Sequence, residues 1–482
     1  MEPSLKSAET HQNERQKPWK SPRVLYGSLA AVAVADLCLG CNVIQNNRNN
    51  AGPPAYQPGE RVETAVAFVT SDELGPPSEE QIDETQYRIG VTIKALEHTL
   101  GDSLPEFTAA PDFETRVITA DPDGRDADGN SCYDRKQLKK LEKKSRTDSD
   151  LTYLVPAKDG VRFCESGDDF MASGTEYSDP KENSKHTIIL RNRQASTTLI
   201  AHEIGHSLGL GHNLKVECDT NDLEILWANG KVPATEYAAA FEGMKKCHQK
   251  DGDYASDRSV MGNSSAFDKD IARGRPLFNI AQKHLIDPEG HPIETLPSDA
   301  YGEYEIYVDR GQQPASKEQP RAVAVTIPDD HPIQSKFDAD RRVESLVFTV
   351  DVHRPWGNEA DITFGGQAHC DNAACSETVT AVFKQNPDRQ STAIAELPVI
   401  PGANYVVRDI NSDKISMEKR VVYMDDHLDL GVYIRTDYDD HNNVIKTGVN
   451  LVPYDETLKL VEHSRALNRQ HNKTPKVSKQ SD

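Results

Sequence analysis

Two things this sequence has little of are apolar residues and positive charge. Its 55 Lys and Arg face 77 Asp and Glu, for a formal net charge of −22. A nucleic-acid binder needs clustered Lys and Arg to neutralise phosphate, so the deficit argues against one. It equally disfavours adhesion to anionic lipid and favours a solvated surface. Mean hydropathy is −0.66, which excludes a bundle of membrane-spanning helices. No repeat of 20 to 50 residues is evident, so a solenoid has no support. None of the six cysteines after Cys41 sits at CxxC spacing, so a cysteine-ligated zinc site has no support. Hydrophobic residues still make up 36% of the 482 residues, enough for one or two modest cores. At roughly 150 residues per domain the length corresponds to two or three folding units.

The N-terminal region carries Lys6, Arg15, Lys17, Lys20 and Arg23, followed by an apolar run from Val24 to Ala35. That run is short for a bilayer span and matches the core of a signal peptide. Ala33-Val34-Ala35 has the small-x-small form of a cleavage site. Leu37-Cys38-Leu39-Gly40-Cys41 is similar to a bacterial lipobox, which implies lipidation at Cys41. An uncleaved anchor from Val24 to Ile44 is the third reading. All three place the chain outside the cytoplasm, secreted or held at the outer face of a membrane. Cys132, Cys164, Cys218, Cys247, Cys370 and Cys375 then permit three disulfides, and chain order favours 132–164, 218–247 and 370–375. Residues 42–60 read as a linker, and the polar stretch 456–482 as a disordered tail.

Thr64–Thr70 reads as a buried strand, with further strands at Arg116–Ala120, Leu151–Val155 and His186–Leu190. Ser78 with Gln81 has the capping-box spacing, and Ile82, Ile89, Ile93, Leu96 and Leu100 follow at helical period, predicting one amphipathic helix from Ser78 to Leu100. Asp121–Asn130 has carboxylates at alternate positions but not the full calcium-loop pattern, so a turn is the better reading and Ca²⁺ is unsupported. A further helix is expected from Ala234 to Lys246. From about residue 300 the period changes to two. Val323, Val325 and Ile327 alternate, as do Val379, Ala381 and Phe383, and Leu428, Leu430, Val432 and Ile434. The pattern predicts an antiparallel sandwich or barrel over 300–455.

Residues 202–212 read HEIGHSLGLGH. His202 and His206 lie one helical turn apart on one face, so both imidazoles can reach a single ion. Ser196, Thr197 or Thr198 can cap the helix, and Gly209 can end it with a positive φ. His212 then supplies a third nitrogen. Three neutral imidazoles leave a fourth position open, the pattern of a catalytic Zn²⁺. Glu203 follows a ligand and points past the metal, where a carboxylate can take a proton from the attacking water. The full pattern would arise by chance in such a chain on the order of once in 10⁴ sequences.

This segment resembles the zinc signature of the metzincin metalloendopeptidases, with an interior most similar to the matrixin version. Ser259-Val260-Met261-Gly262-Asn263 is similar to that family's turn, in which Met261 would lie beneath the metal. The resemblance spans about Thr64 to Ile286. It implies an α+β zincin catalytic domain over 61–290, with a sheet-and-helix half above a cleft and an irregular half below. An all-β accessory domain over 300–455 follows, the boundary falling near Pro288–Ala300. Asn213 and Asn263 depart from subfamily patterns, the Leu214–Ser259 segment is long, and no cysteine-switch segment is visible, so no subfamily is assigned. The resemblance implies a protein or peptide substrate, cleaved by zinc-activated water with Glu203 as general base. A cell-surface binding protein acting through its β-rich half is the alternative, to whose face Trp356, Tyr405 and Tyr433 could contribute, although core packing is the better reading of each; hydrolysis of a non-peptide amide is a third.

Overall fold

A helix-covered, mostly parallel sheet and a pair of packed, mostly antiparallel sheets make up this chain. The structure is a computed structural model that describes residues 56–473, except 109–112, 126–128, 146–148, 159–162, 165–171, 176–185, 191–194, 220–230, 234, 237–246, 251–255, 257–258, 263–276, 309–318, 339–340, 353–374, 385–391, 401–403, 409–414 and 440–443. The N-terminal apolar run, Cys41, Asn263, Trp356, Cys370 and all but two residues of the helix expected over 234–246 lie outside the described residues. The N-terminal part runs β1 (Arg61–Val62), β2 (Thr64–Thr70), α1 (Glu79–Leu100), β3 (Glu106–Phe107), β4 (Glu114–Thr119), β5 (Gly124–Arg125), β6 (Ser131–Cys132), α2 (Arg135–Ser145), β7 (Leu151–Pro156), β8 (Ala172–Thr175), β9 (His186–Leu190) and α3 (Thr197–Ser207).

β2 and β7 are buried at every position, as a parallel sheet covered on both faces requires. The sheet order is β4-β2-β7-β9-β8, parallel except for the antiparallel edge strand β8. On one face Val66, Phe68, Tyr153 and Val155 pack with Ile89, Ile93 and Leu96 of α1 and with Ile200, Ala201 and Ile204 of α3. On the other face Ala67, Val69, Leu154 and Ile189 cover Leu138 and Leu141 of α2. α1 starts as its sequence predicts: the Gln81 amide N–H donates to Ser78 Oγ and the Ser78 amide N–H to Gln81 Oε1. Cys132 is bonded to Cys164, and Cys218 to Cys247, the pairings that chain order favours.

The remainder runs β10 (Leu210–Cys218), β11 (Cys247–Gln249), α4 (Ile280–Ile286), β12 (Ile293–Leu296), β13 (Gly302–Ile306), β14 (Ala322–Thr326), β15 (Val343–Val352), β16 (Cys375–Phe383), β17 (Thr392–Leu397), β18 (Asn404–Arg408), β19 (Ile415–Asp425), β20 (Leu430–Tyr438), β21 (Val444–Pro453) and α5 (Tyr454–Lys473). A seven-stranded sheet, β11-β10-β17-β16-β15-β14-β12, shares a core with an antiparallel five-stranded sheet, β13-β21-β20-β19-β18. Period two sorts the side chains. Val323 and Val325 lie between the sheets, whereas Ala322 and Ala324 lie on the opposite face against Ala281 of α4.

Two outcomes differ from the sequence expectation. His212 lies on a strand, β10, at a shift of register against β17, where the resemblance implies an irregular lower half. β10 pairs in parallel with β17, so the chain just after the HExxH helix belongs to the same sheet as the C-terminal strands. The described residues cluster as one unit. The tail expected to be disordered from 456 is helical through Lys473, and Thr457 and Val461 are fully buried. These two residues are four apart on one face, and Val461 packs on Val421 and Met424. Charged residues on either side of that short stripe mask it in the composition. Among the described residues the result is a mixed α/β structure with five helices and several sheets, and no helix is long and apolar enough to cross a membrane.

Candidate metal centre

The site begins with the cap of α3. Ser196 Oγ accepts from the Leu199 amide, and Gly209 leaves the helix with φ +85°, a conformation that favours glycine. Between these ends His202 and Glu203 are buried and His206 is half-buried; His212 comes from β10 and is buried as well. One ligand atom from each histidine lies within 4.8 Å of the others. His202, Glu203, His206 and His212 fit an HExxHxxGxxH zinc motif, and the three histidines form a group that can hold a metal ion.

The hydrogen bonds decide which nitrogens face one another. His202 Nδ1 is 2.7 Å from the Val260 carbonyl oxygen, and His206 Nδ1 is 2.8 Å from that of Leu210. A carbonyl oxygen only accepts, so each Nδ1 carries the hydrogen and each Nε2 presents a lone pair. The two Nε2 atoms are 3.1 Å apart. Ligands about 2.0–2.1 Å from a tetrahedral ion lie about 3.3 Å from one another, so the spacing suits a shared cation. A proton shared between the rings would require an imidazolium. Burial opposes that: it pulls His202 down to about 3, helped by the neighbouring His206 and resisted by the bond to Val260. Burial also lowers His206, and lowers His212 strongly, with His206, His202 and Arg341 adding charge repulsion. Neutral imidazole, the ligating form, is therefore favoured at neutral pH.

A second layer holds these rings. The Met261 amide donates to Ser259 Oγ, and the Asn213 amide donates to the Met261 carbonyl. Met261 is fully buried, with its sulfur against Gly205, the residue directly before His206; a β-carbon at that glycine would collide with it. The structure thus brings together His202, His206, His212 and Met261, with Glu203 buried on the same helix. Tyr433 sits apart, half-buried on β20 under the Lys419 ammonium, and the side chain of Tyr405 lies outside the described residues.

Sequence reasoning missed Ser256 and Glu396. Asn213 Nδ2 donates to Ser256 Oγ at 3.1 Å, and Ser256 donates to Glu396 Oε2 at 2.8 Å, all three residues being buried. One signal was available: period two in β17 sets Glu396 on the same face as the buried Ile394, an unusual place for a carboxylate. No protein-family model matches the chain, and no curated protein matches it.

Proposed function

We propose that this chain is an exported zinc-dependent endopeptidase of metzincin type, with residues 61–290 carrying the chemistry and 300–455 an accessory β-rich part. The observation that carries the reading is the pair of Nε2 lone pairs 3.1 Å apart, each fixed by an Nδ1 bonded to a backbone carbonyl, with a buried carboxylate one residue after the first of them. His202, His206 and His212 would hold the ion. When bound, Zn²⁺ supplies Lewis acidity, polarising a carbonyl and acidifying water. Glu203 takes the proton from the attacking water and returns it to the departing amine, a general-base and general-acid role suited to a carboxylate beside a ligand. β8, at the sheet edge beside α3, offers backbone donors and acceptors to a peptide bound in extended form. Met261 supports the helix from beneath and takes no part in proton transfer.

The two disulfides suggest an extracellular or periplasmic location, and the segment ending near Cys41 is proposed as the export signal or lipid anchor. Cleavage-site profiling of the full chain on a peptide library, with a chelator control, tests the activity. Glu203→Gln is expected to keep its zinc while turnover falls by about 10²- to 10⁴-fold, the usual range for a lost general base. Turnover unchanged in that variant removes Glu203 from the mechanism.

A further inference from the structure

Resting on the metal-site reading above, we infer that Glu396 is a positioning residue for the metal centre, acting from the C-terminal sheet through Ser256 and Asn213 on His212 and the Met261 turn. The chain of contacts is continuous and buried. Glu396 accepts from Ser256, Ser256 accepts from the Asn213 side-chain amide, and the Asn213 backbone amide donates to the Met261 carbonyl. Asn213 and Ser256 are fully buried and Glu396 is 8% exposed. Asn213 directly follows His212, and Met261 directly follows Val260, whose carbonyl orients His202. One carboxylate thereby stands behind two of the three ligands.

The sheet geometry supports the same assignment. β10 and β17 shift register between Leu210 and Asn213, three steps of β10 spanning two of β17. Such a bulge re-aims the side chain it contains, and His212 is in it. At that point the two backbones are close: a β-carbon on Gly211 would lie 2.9 Å from the Ala393 backbone nitrogen. The segment presenting His212 is thus shaped against β17, and Glu396, two residues past Ile394 on the same strand, locks it. A buried carboxylate is costly unless hydrogen bonds compensate it, and here the Ser256 hydroxyl donates to it, itself bonded to the Asn213 side chain beside His212. The C-terminal sheet is accordingly part of what holds the ligands.

Partners that orient metal ligands typically change metal affinity by about 10- to 100-fold when removed. The experiment uses the full chain loaded with Co²⁺, read by its visible ligand-field absorption and by competition with a chelating dye. Glu396→Ala is expected to weaken Co²⁺ binding by about 10- to 100-fold and to alter the absorption band. Glu396→Gln keeps an acceptor for Ser256 and should restore both. Ser256→Ala cuts the same link with a smaller change, and it supplies the test should Glu396→Ala fail to fold. Wild-type affinity and spectrum in the Ala variants overturn the inference alone, as does a Gln variant as impaired as Ala. A wild-type protein that takes up no Co²⁺ overturns the metal reading itself, and this inference with it.

Discussion

His202 Nδ1 lies 2.7 Å from the carbonyl oxygen of Val260, 58 residues further along the chain. That bond joins the helix of His202 and His206 to the turn beneath it and sets the tautomer that leaves Nε2 available. Helix and turn therefore form one unit, and disturbing either disturbs the three-histidine group.

The contact between Gly205 and Met261 is the most direct place to test that unit. Met261 is fully buried, with Phe278 on the same side of the glycine, so its sulfur has little room to retreat. Gly205→Ala should lower stability by about 1–3 kcal/mol through overpacking, although alanine is the better helix former. Urea unfolding measures the difference, and a variant more stable than wild type contradicts this packing.

Metal removal should destabilise the folded chain. At a free Zn²⁺ concentration 100 times the dissociation constant, binding adds about 2.7 kcal/mol. Chelation should therefore lower the melting temperature and added Zn²⁺ restore it. His212→Ala, lacking one ligand, should lose most of this response. A melting temperature that ignores both chelator and Zn²⁺ argues against a resident ion.

His291 predicts a pH dependence outside the metal site. Its Nε2 is 3.3 Å from Ser103 Oγ, whose hydroxyl donates to Asp287. Ser103 thus accepts from His291 Nε2–H, leaving Nδ1 unprotonated in the interior. Burial pulls the ring from 6.5 to about 3, reinforced by the charges of Lys283 and Arg321 and opposed by that of Asp287. Below about 6.5 the unfolded chain takes up a proton that the folded chain refuses until about pH 3. The contribution of this neutral histidine is therefore fully present above about 6.5 and is lost as pH falls toward 3, at up to about 1.4 kcal/mol per pH unit. His291→Gln should show a shallower decline in urea stability between pH 6 and pH 4. Parallel declines in the two proteins would rule the assignment out.

Local signals account for what was legible beforehand. The capping box at Ser78, the apolar continuity of β2 and the three-histidine spacing each operate within a few residues, where backbone geometry alone fixes which side chains share a face. The disulfides followed from chain order because each closes a loop of about thirty residues. α5 was hidden because its buried stripe is short and flanked by charge.

The amino-acid sequence by itself determined the spacing of His202, His206 and His212, the neighbouring Glu203, the helix that carries the first two histidines and the alternation of the C-terminal strands. Only the tertiary structure decided that Val260 and Leu210 orient the rings, that β10 joins β17 in one sheet, and that Glu396 reaches Ser256 from 140 residues away. The reason is physical. A helical turn or a pleat imposes its spacing on adjacent residues, whereas pairing between distant strands depends on the whole chain closing its loops and leaves no periodic trace at either partner.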